Sequence, residues 1–131
     1  MAVPAGANET TMHPWPEADI LSNGIRLHYY RTGGDKPPVV LCHGWSDYGL
    51  SWSVLARALE ADYDVIMVDA RYHGFSEVPR SGHGGGEMAA DLAGLIRGLD
   101  LDRPVVGGHS MGAGYVSLAA ARYVSLAAAR Y

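Results

Sequence analysis

The hydrophobic and polar positions of the chain fall into short blocks that predict strands and helices in alternation. Residues 20–22 lead into the turn signal Asn23-Gly24, and residues 25–30 alternate at period two, which predicts a β-hairpin. Three wholly apolar runs are typical of strands covered on both faces: residues 39–42, 65–68 and 104–107. Apolar residues at helical spacing predict helices over 50–61, with Ser51 as N-cap, over 87–99, and from Met111 onward.

This alternation of buried strands and helices indicates an α/β fold, with a three-layer α/β/α arrangement around a mostly parallel sheet. The length of 131 residues suits one domain. Residues 1–17 are polar, contain Pro4, Pro14 and Pro16, and show no periodicity, so we expect a flexible lead. Residues 18–131 then form the folded domain.

The end of the chain repeats itself. Residues 115–122 recur letter for letter as residues 123–130. Eight residues are too few for a supersecondary repeat, so the two copies read as one continuous helix. At helical spacing the apolar face of the second copy is rotated about 80° from that of the first. We therefore interpret the repeat as a local duplication or a sequence error.

Composition narrows the class of protein. Ten Lys and Arg against fourteen Asp and Glu give a net charge of −4, and the basic residues are scattered, which argues against a nucleic-acid or anionic-membrane surface. No apolar run approaches the ~18 residues of a membrane span, and the first residues lack the features of a signal peptide. One cysteine, Cys42, is compatible with a reducing compartment. We therefore expect a cytoplasmic protein without nucleic-acid or membrane partners.

The motif G-x-S-x-G occurs once where its chemistry requires it, at Gly108-His109-Ser110-Met111-Gly112. A predicted strand runs directly into it and a predicted helix leaves it, which is the strand–turn–helix context of a nucleophilic serine. The two glycines permit a sharp turn, and the helix N-terminus favours developing negative charge. The alternative is a Gly/Ser loop that binds phosphate. The dinucleotide and Walker patterns both fail here, since residue 117 is Ser and no Lys follows.

A second loop supplies a candidate partner for that serine. His43-Gly44-Trp45 ends the first buried strand, where the backbone N–H of Trp45 can act beside that of Met111 as an oxyanion donor. We interpret His43 as a structural residue that fixes this loop. The run His83-Gly84-Gly85-Gly86 spells a lipase-type oxyanion motif, but it follows the second buried strand and is interpreted as a flexible linker.

The remaining polar candidates favour structural roles. Asp69 and Arg71 lie in the loop at residues 69–76 after the second buried strand, and we interpret them as holding a tight loop through charge-assisted hydrogen bonds. Cys42 lies within a predicted strand and reads as an inert buried thiol. The histidines lack metal-ligand spacing, so no metal or cofactor is expected.

Taken together, these residues resemble the α/β-hydrolase superfamily, in its serine esterase, lipase and peptidase-like branch. The resemblance runs from about residue 20 to residue 122 and includes the hairpin, the His43 loop, the D-x-R-x-x-G-x-S loop and the Ser110 turn, in the expected order. It implies Ser110 as nucleophile, the amides of Trp45 and Met111 as oxyanion hole, and a small-molecule acyl substrate. Serine rather than aspartate at position 110 argues against the epoxide hydrolases and haloalkane dehalogenases of the same fold.

The chain also departs from this family. There the triad runs Ser, then Asp or Glu, then His, whereas the residues after Ser110 contain neither an acid nor a histidine. His73 and His43 share the sheet edge of Ser110, but nothing in the sequence indicates that either replaces the missing base. The sequence therefore predicts the first part of a serine hydrolase that works through an acyl-enzyme, incomplete in this chain.

Two alternatives stay open: a non-catalytic truncated fragment or pseudo-hydrolase, and an acyltransferase on the same fold. We also expect the strand at residues 104–107 to lack an outer neighbour. Its exposed apolar edge then favours self-association.

Overall fold

The structure, a computed structural model, describes the backbone of residues 15–128 and the side chains of residues 15–123. Five strands form one mixed sheet in the order β1-β2-β4-β3-β5. They are β1 (Glu17–Ser22), β2 (Ile25–Arg31), β3 (Pro38–Cys42), β4 (Asp64–Val68) and β5 (Val105–Gly108). The helices are α1 (Ser53–Leu59), preceded by a 3₁₀ turn at Gly49–Trp52, α2 (Gly85–Gly98) and α3 (Met111–Ala128).

The predicted hairpin is confirmed. β1 and β2 pair antiparallel, with Ser22 opposite Ile25. Asn23 and Gly24 between them have φ of 51° and 78°, as a two-residue turn with two left-handed positions requires. Ordered structure starts earlier than predicted, because Trp15 is buried and β1 begins at Glu17. The rest of the predicted lead lies outside the described residues.

The three apolar runs form the parallel part of the sheet. β3 pairs parallel with β4 on one side and with β5 on the other. In this register Cys42 lies opposite both Val68 and Gly108, so the three strands end at the same level. The prediction of burial on both faces holds for β3 and β4 but is wrong for β5, whose Val105 is 63% exposed. β5 is an edge strand of the described sheet, and self-association through it stays a prediction.

Helices cover both faces of the sheet, which confirms the three-layer α/β/α fold. α1 packs over a core that includes Val39, Leu41, Val65 and Met67. α2 and α3 pack over the opposite face, in a core drawn from Val40, Cys42, Ile66, Val68 and apolar residues of both helices. α3 runs on into the duplicated segment, but the side chains of residues 124–131 lie outside the description. Within the described residues, none of the helices is long and apolar enough to cross a membrane.

Two predicted helix starts are corrected. Ser51 is not an N-cap, because the chain enters α1 through a 3₁₀ turn that begins at Gly49. The Gly49 amide donates to Asp69 Oδ1 at 2.6 Å, and a Cβ at Gly49 would lie 2.8 Å from the Met67 carbonyl oxygen, so a long-range contact sets this start. In the predicted linker, Gly85 and Gly86 already belong to α2, whose N-cap is Gly84.

Candidate active site

Three loops meet at the carboxyl edge of the parallel strands. They follow β3, β4 and β5, and they are residues 43–48, residues 69–84 and the turn at residues 109–110. Parallel strands direct their carboxyl ends to the same edge of the sheet, and in α/β sheets ligands bind at this edge. The sequence-predicted residues His43, Trp45 and Ser110 all lie here.

Ser110 occupies a strained turn between β5 and α3. Its φ is 54°, in the left-handed region that residues with a side chain rarely adopt, and the residue is exposed to solvent. The His109 amide donates to the Cys42 carbonyl at 3.1 Å, which extends the β3–β5 ladder up to the turn. The Gly112 amide then donates to the His109 carbonyl at 2.9 Å, which starts the helix at once.

The glycines on either side of Ser110 allow this turn to close. A Cβ at Gly108 would lie 2.5 Å from the Gly112 carbonyl carbon, and a Cβ at Gly112 would lie 2.1 Å from the Cys42 carbonyl oxygen. These distances are too short for any side chain. The motif glycines are therefore required because strand, helix and the neighbouring β3 loop touch through bare backbone.

The loop after β3 is a tight turn beside the serine. The Asp47 amide donates to the Gly44 carbonyl at 3.1 Å, and Ser46 has a left-handed φ of 69°. A Cβ at Gly44 would lie 2.9 Å from His109 Nδ1, so this glycine lets the loop approach the serine turn. The Trp45 ring is 70% exposed at this edge.

Two backbone N–H groups at this edge have no protein acceptor among the described residues. Among residues 15–128, neither the Trp45 amide nor the Met111 amide is bonded to a protein acceptor. The Met111 amide is at the N-terminus of α3, where the helix dipole adds positive potential. These are the two donors that the sequence assigned to an oxyanion hole, and that role stays a prediction.

His43 and His73 are both engaged through both ring nitrogens. His43 Nδ1 lies 2.8 Å from the Gly44 carbonyl oxygen, and its Nε2 accepts the Ala70 amide at 3.0 Å. His73 Nδ1 lies 2.9 Å from the Arg71 carbonyl oxygen, and its Nε2 faces the Ser46 amide at 3.4 Å. Neither ring nitrogen of either residue is left to act as a base toward Ser110. The bonds of His43 join its own loop to the loop after β4.

Burial governs the protonation of His43. The residue is only 1% exposed, and desolvation lowers its pKa below the usual value. The carbonyl of Gly44 and the carboxylates of Asp69 and Asp47 oppose this shift, while His73 adds to it. The neutral ring is therefore favoured, in agreement with its hydrogen-bond partners.

Asp69 and Arg71 brace the loop after β4, but not with each other. Asp69 is fully buried, and its carboxylate accepts the amides of Gly49 at 2.6 Å and Phe75 at 2.9 Å. Arg71 instead forms a two-pronged ion pair with Asp91 of α2, at 2.6 Å and 2.7 Å. Asp69 thus ties the loop to the 3₁₀ turn before α1, and Arg71 ties it to α2.

The remaining sequence candidates hold no reactive position. Cys42 is buried, and desolvation raises the pKa of its thiol to about 12. His83 is exposed and stacks on Tyr72 with ring centroids 4.7 Å apart. Among the described side chains of residues 15–123, no three of the metal-ligating types converge on a point.

Sequence reasoning missed the way in which His43 and His73 engage each other's loops. Both histidines are followed directly by glycine, at His43-Gly44 and His73-Gly74, and each lies in the loop after one of two neighbouring parallel strands. That shared pattern is the signal that would have pointed to a paired role.

Comparisons with known proteins extend these observations. A family model described as the alpha/beta hydrolase fold matches residues 37–129. The chain is 34% identical over 105 residues to N-formylmaleamate deformylase of Pseudomonas putida, covering 79% of this chain and 39% of that protein. It is 41% identical over 103 residues to the non-heme chloroperoxidase of Streptomyces lividans, covering 77% of this chain and 37% of that protein.

A solved structure gives the same picture. The crystal structure of epoxide hydrolase A from Mycobacterium thermoresistibile matches with a TM-score of 0.76 at 33% identity, covering 81% of this chain and 34% of that one. The chain thus spans less than two fifths of the length of the curated relatives named above.

Proposed function

We propose that Ser110 is the nucleophile of a serine hydrolase. This chain belongs to the α/β-hydrolase family, and the relatives named above include a deformylase and an epoxide hydrolase. The observation that carries the proposal is the left-handed backbone of Ser110, exposed between an edge strand and a helix N-terminus. Such strain persists only where the surrounding structure imposes it, and it gathers at functional sites.

The proposed reaction is acyl transfer through a covalent intermediate. The Ser110 hydroxyl attacks the carbonyl carbon of an ester, thioester or amide-like bond, and a base takes its proton. The carbonyl oxygen becomes an oxyanion that accepts hydrogen bonds from the Trp45 and Met111 amides. The tetrahedral intermediate then expels the protonated leaving group, and water releases the acyl group from the serine.

Two histidines at this edge, His43 and His73, are poor candidates for the base of this reaction. His43 and His73 have both ring nitrogens occupied, and no acid or histidine follows Ser110 in the sequence. We therefore propose that the whole enzyme supplies its base from polypeptide beyond the sequence matched here. Among the residues that the structure describes, the proposal assigns the nucleophile to Ser110 and the oxyanion donors to Trp45 and Met111.

A labelling experiment with an external base tests this assignment. The chain is treated with a fluorophosphonate probe, with and without added imidazole, and the modified serine is identified by peptide mass mapping. We expect Ser110 to react at least about tenfold faster than Ser117, since one oxyanion donor alone is worth ~10² in rate. Ser117 is the matched control, because it is an exposed serine on the same helix whose hydroxyl is bonded to the Ala113 carbonyl.

Added imidazole should accelerate labelling of Ser110 more than that of Ser117. Ser110→Ala should abolish labelling, and Ser117→Ala should leave it unchanged. Equal reaction of the two serines, or no reaction at Ser110 in the presence of imidazole, would show that the turn does not activate Ser110.

A further inference from the structure

His43 and His73 connect the loops after β3 and β4 through reciprocal hydrogen bonds. Each ring uses Nδ1 on a carbonyl of its own loop: Gly44 for His43 at 2.8 Å, and Arg71 for His73 at 2.9 Å. Each ring also turns Nε2 to an amide of the opposite loop: Ala70 at 3.0 Å and Ser46 at 3.4 Å. The two ring centroids are 5.0 Å apart.

These partners assign one protonation state to both rings. A carbonyl oxygen only accepts hydrogen bonds, so each Nδ1 must carry a hydrogen. An amide N–H only donates, so each Nε2 must offer its lone pair. Both histidines are therefore neutral Nδ1–H tautomers. A proton added at either Nε2 would place two N–H groups against each other, and the hydrogen bond to the amide would be lost.

The contacts of His73 fall directly on the turn that carries Trp45. Its Nε2 takes the amide of Ser46, the residue after Trp45, which is held at a left-handed φ of 69°. Its ring also meets the Trp45 indole edge-on, with centroids 5.1 Å apart and an angle of 82° between the planes. The backbone of Trp45 is thus fixed from a different loop.

We propose that His73 is a positioning residue for the Trp45 amide, that His43 completes a neutral histidine pair joining the two loops, and that protonation of the pair releases the oxyanion loop. This inference rests on the proposed function, because it assigns a purpose to the Trp45 amide. It adds a dependence on pH that comes from the support of the site rather than from its base.

The charged groups around the pair bear on its titration. Asp69 and Asp47 lie close enough to His43 to favour its charged form, while burial and His73 oppose it. Arg71 meets His73 through its backbone carbonyl, and its guanidinium is committed to Asp91. On the side of the serine turn, His109 Nδ1 borders Gly44. Because the rings are adjacent, a charge on His73 would oppose protonation of His43.

Nuclear magnetic resonance on the intact chain tests the pair directly. Long-range proton–nitrogen correlation of the imidazoles should show the neutral Nδ1–H tautomer for His43 and for His73 at neutral pH. In His73→Phe, which keeps a ring but removes both nitrogens, the Ser46 amide should exchange with solvent about fivefold faster, the factor that one ordinary hydrogen bond supplies. His83→Phe is the matched control, because His83 lies exposed in the same loop, and it should leave this amide unchanged.

The pH profile separates positioning from a merely structural role. His73→Gln keeps an acceptor for the Ser46 amide but does not titrate. The ratio of Ser110 labelling rates, His73→Gln over the unaltered chain, should therefore rise on acidification, and the reagent's own pH dependence cancels in that ratio. A constant ratio would refute the proposed release by protonation.

The Nε2–H tautomer of His73, or equal Ser46 exchange in His73→Phe and the unaltered chain, would refute the pair itself. If Ser110 does not react while the tautomers and the exchange behave as expected, the nucleophile assignment fails and the pair survives only as a link between loops. The two failures are thus distinguishable.

Discussion

The buried ion pair between Arg71 and Asp91 offers a strong test of how the loop after β4 is held. The two side chains are 4% and 6% exposed, and they bond through both prongs of the guanidinium. Arg71 also donates to the Gly82 carbonyl at 2.8 Å. Replacing Arg71 by Met removes all of these bonds and leaves the Asp91 carboxylate buried, with the Asn23 side-chain amide at 3.0 Å as its remaining side-chain partner among the described residues.

Removing one partner of a buried pair costs about 3–5 kcal/mol, because the other charge stays desolvated. The bond from Asn23 favours the lower end, about 3 kcal/mol. With a urea slope of roughly 1–3 kcal/mol per molar, the unfolding midpoint should fall by about 1–3 M. Urea unfolding followed by far-ultraviolet circular dichroism measures this shift.

The control is an ion pair of the same type on the surface. Arg103 lies 3.5 Å from Asp102, with side chains 90% and 82% exposed, so Arg103→Met should change the midpoint little. The double variant Arg71→Met with Asp91→Leu should recover part of the lost stability, because it removes the unpaired charge. Equal effects of Arg71→Met and Arg103→Met, or no recovery in the double variant, would refute the reasoning.

Two further predictions concern the turn and the pH range. Gly112→Ala should destabilise the chain, since its Cβ would lie 2.1 Å from the Cys42 carbonyl oxygen. In Gly114→Ala the added Cβ meets nothing within 4 Å, so this variant should stabilise α3 by about 0.5–1 kcal/mol. Thermal melts of the two variants measure the difference. Burial lowers the pKa of His43 from its usual 6.5. Below that value the unfolded chain binds a proton at this residue more readily than the folded chain does. The free energy of unfolding therefore falls on acidification, by up to about 1.4 kcal/mol per pH unit. His43→Gln should flatten that acid limb in urea midpoints measured from pH 7.5 downward, and an unchanged limb would contradict the assignment.

Much of the fold was predictable because its signals are local. The Asn23-Gly24 turn fixes the register of the hairpin, and the apolar run at residues 39–42 marks a strand covered on both faces. Where the sequence misled, a distant contact decided. The turn before α1 starts at Gly49 because Asp69 captures that amide, and no pattern within residues 50–61 reveals it.

The candidate site was also predictable where its signals are local and not where distant contacts decide. The position of Ser110 follows from a strand, a glycine-flanked turn and a helix in sequence order, all within ten residues or so of one another. The partners of the bracing residues do not follow, since Arg71 pairs with Asp91 on a helix that begins beyond the loop. The engagement of Ser46 by His73 likewise depends on how two loops approach in space, which residue spacing does not encode.

Backbone strain at the carboxyl edge connects these findings. Each of the three loops there holds one residue with a side chain in the left-handed region: Ser46 at 69°, Tyr72 at 69° and Ser110 at 54°. Holding a residue with a side chain in this conformation costs ~1 kcal/mol or more at each position, and glycine would avoid that cost. Ser46 is held by His73, Tyr72 by bonds of its amide and hydroxyl to Glu77 and Ser81, and Ser110 by the backbone contacts of its flanking glycines.

All three loops hold a strained backbone, and each is held by different contacts. A preorganised site requires such fixed loops. Donors and nucleophile must stay fixed before the substrate arrives, because reorganisation during the reaction would forfeit their electrostatic effect. Relaxing one support should therefore loosen its own loop first. On this view His73→Phe affects the Ser46 turn while the backbone of the Ser110 turn, held through Gly108 and Gly112, keeps its conformation.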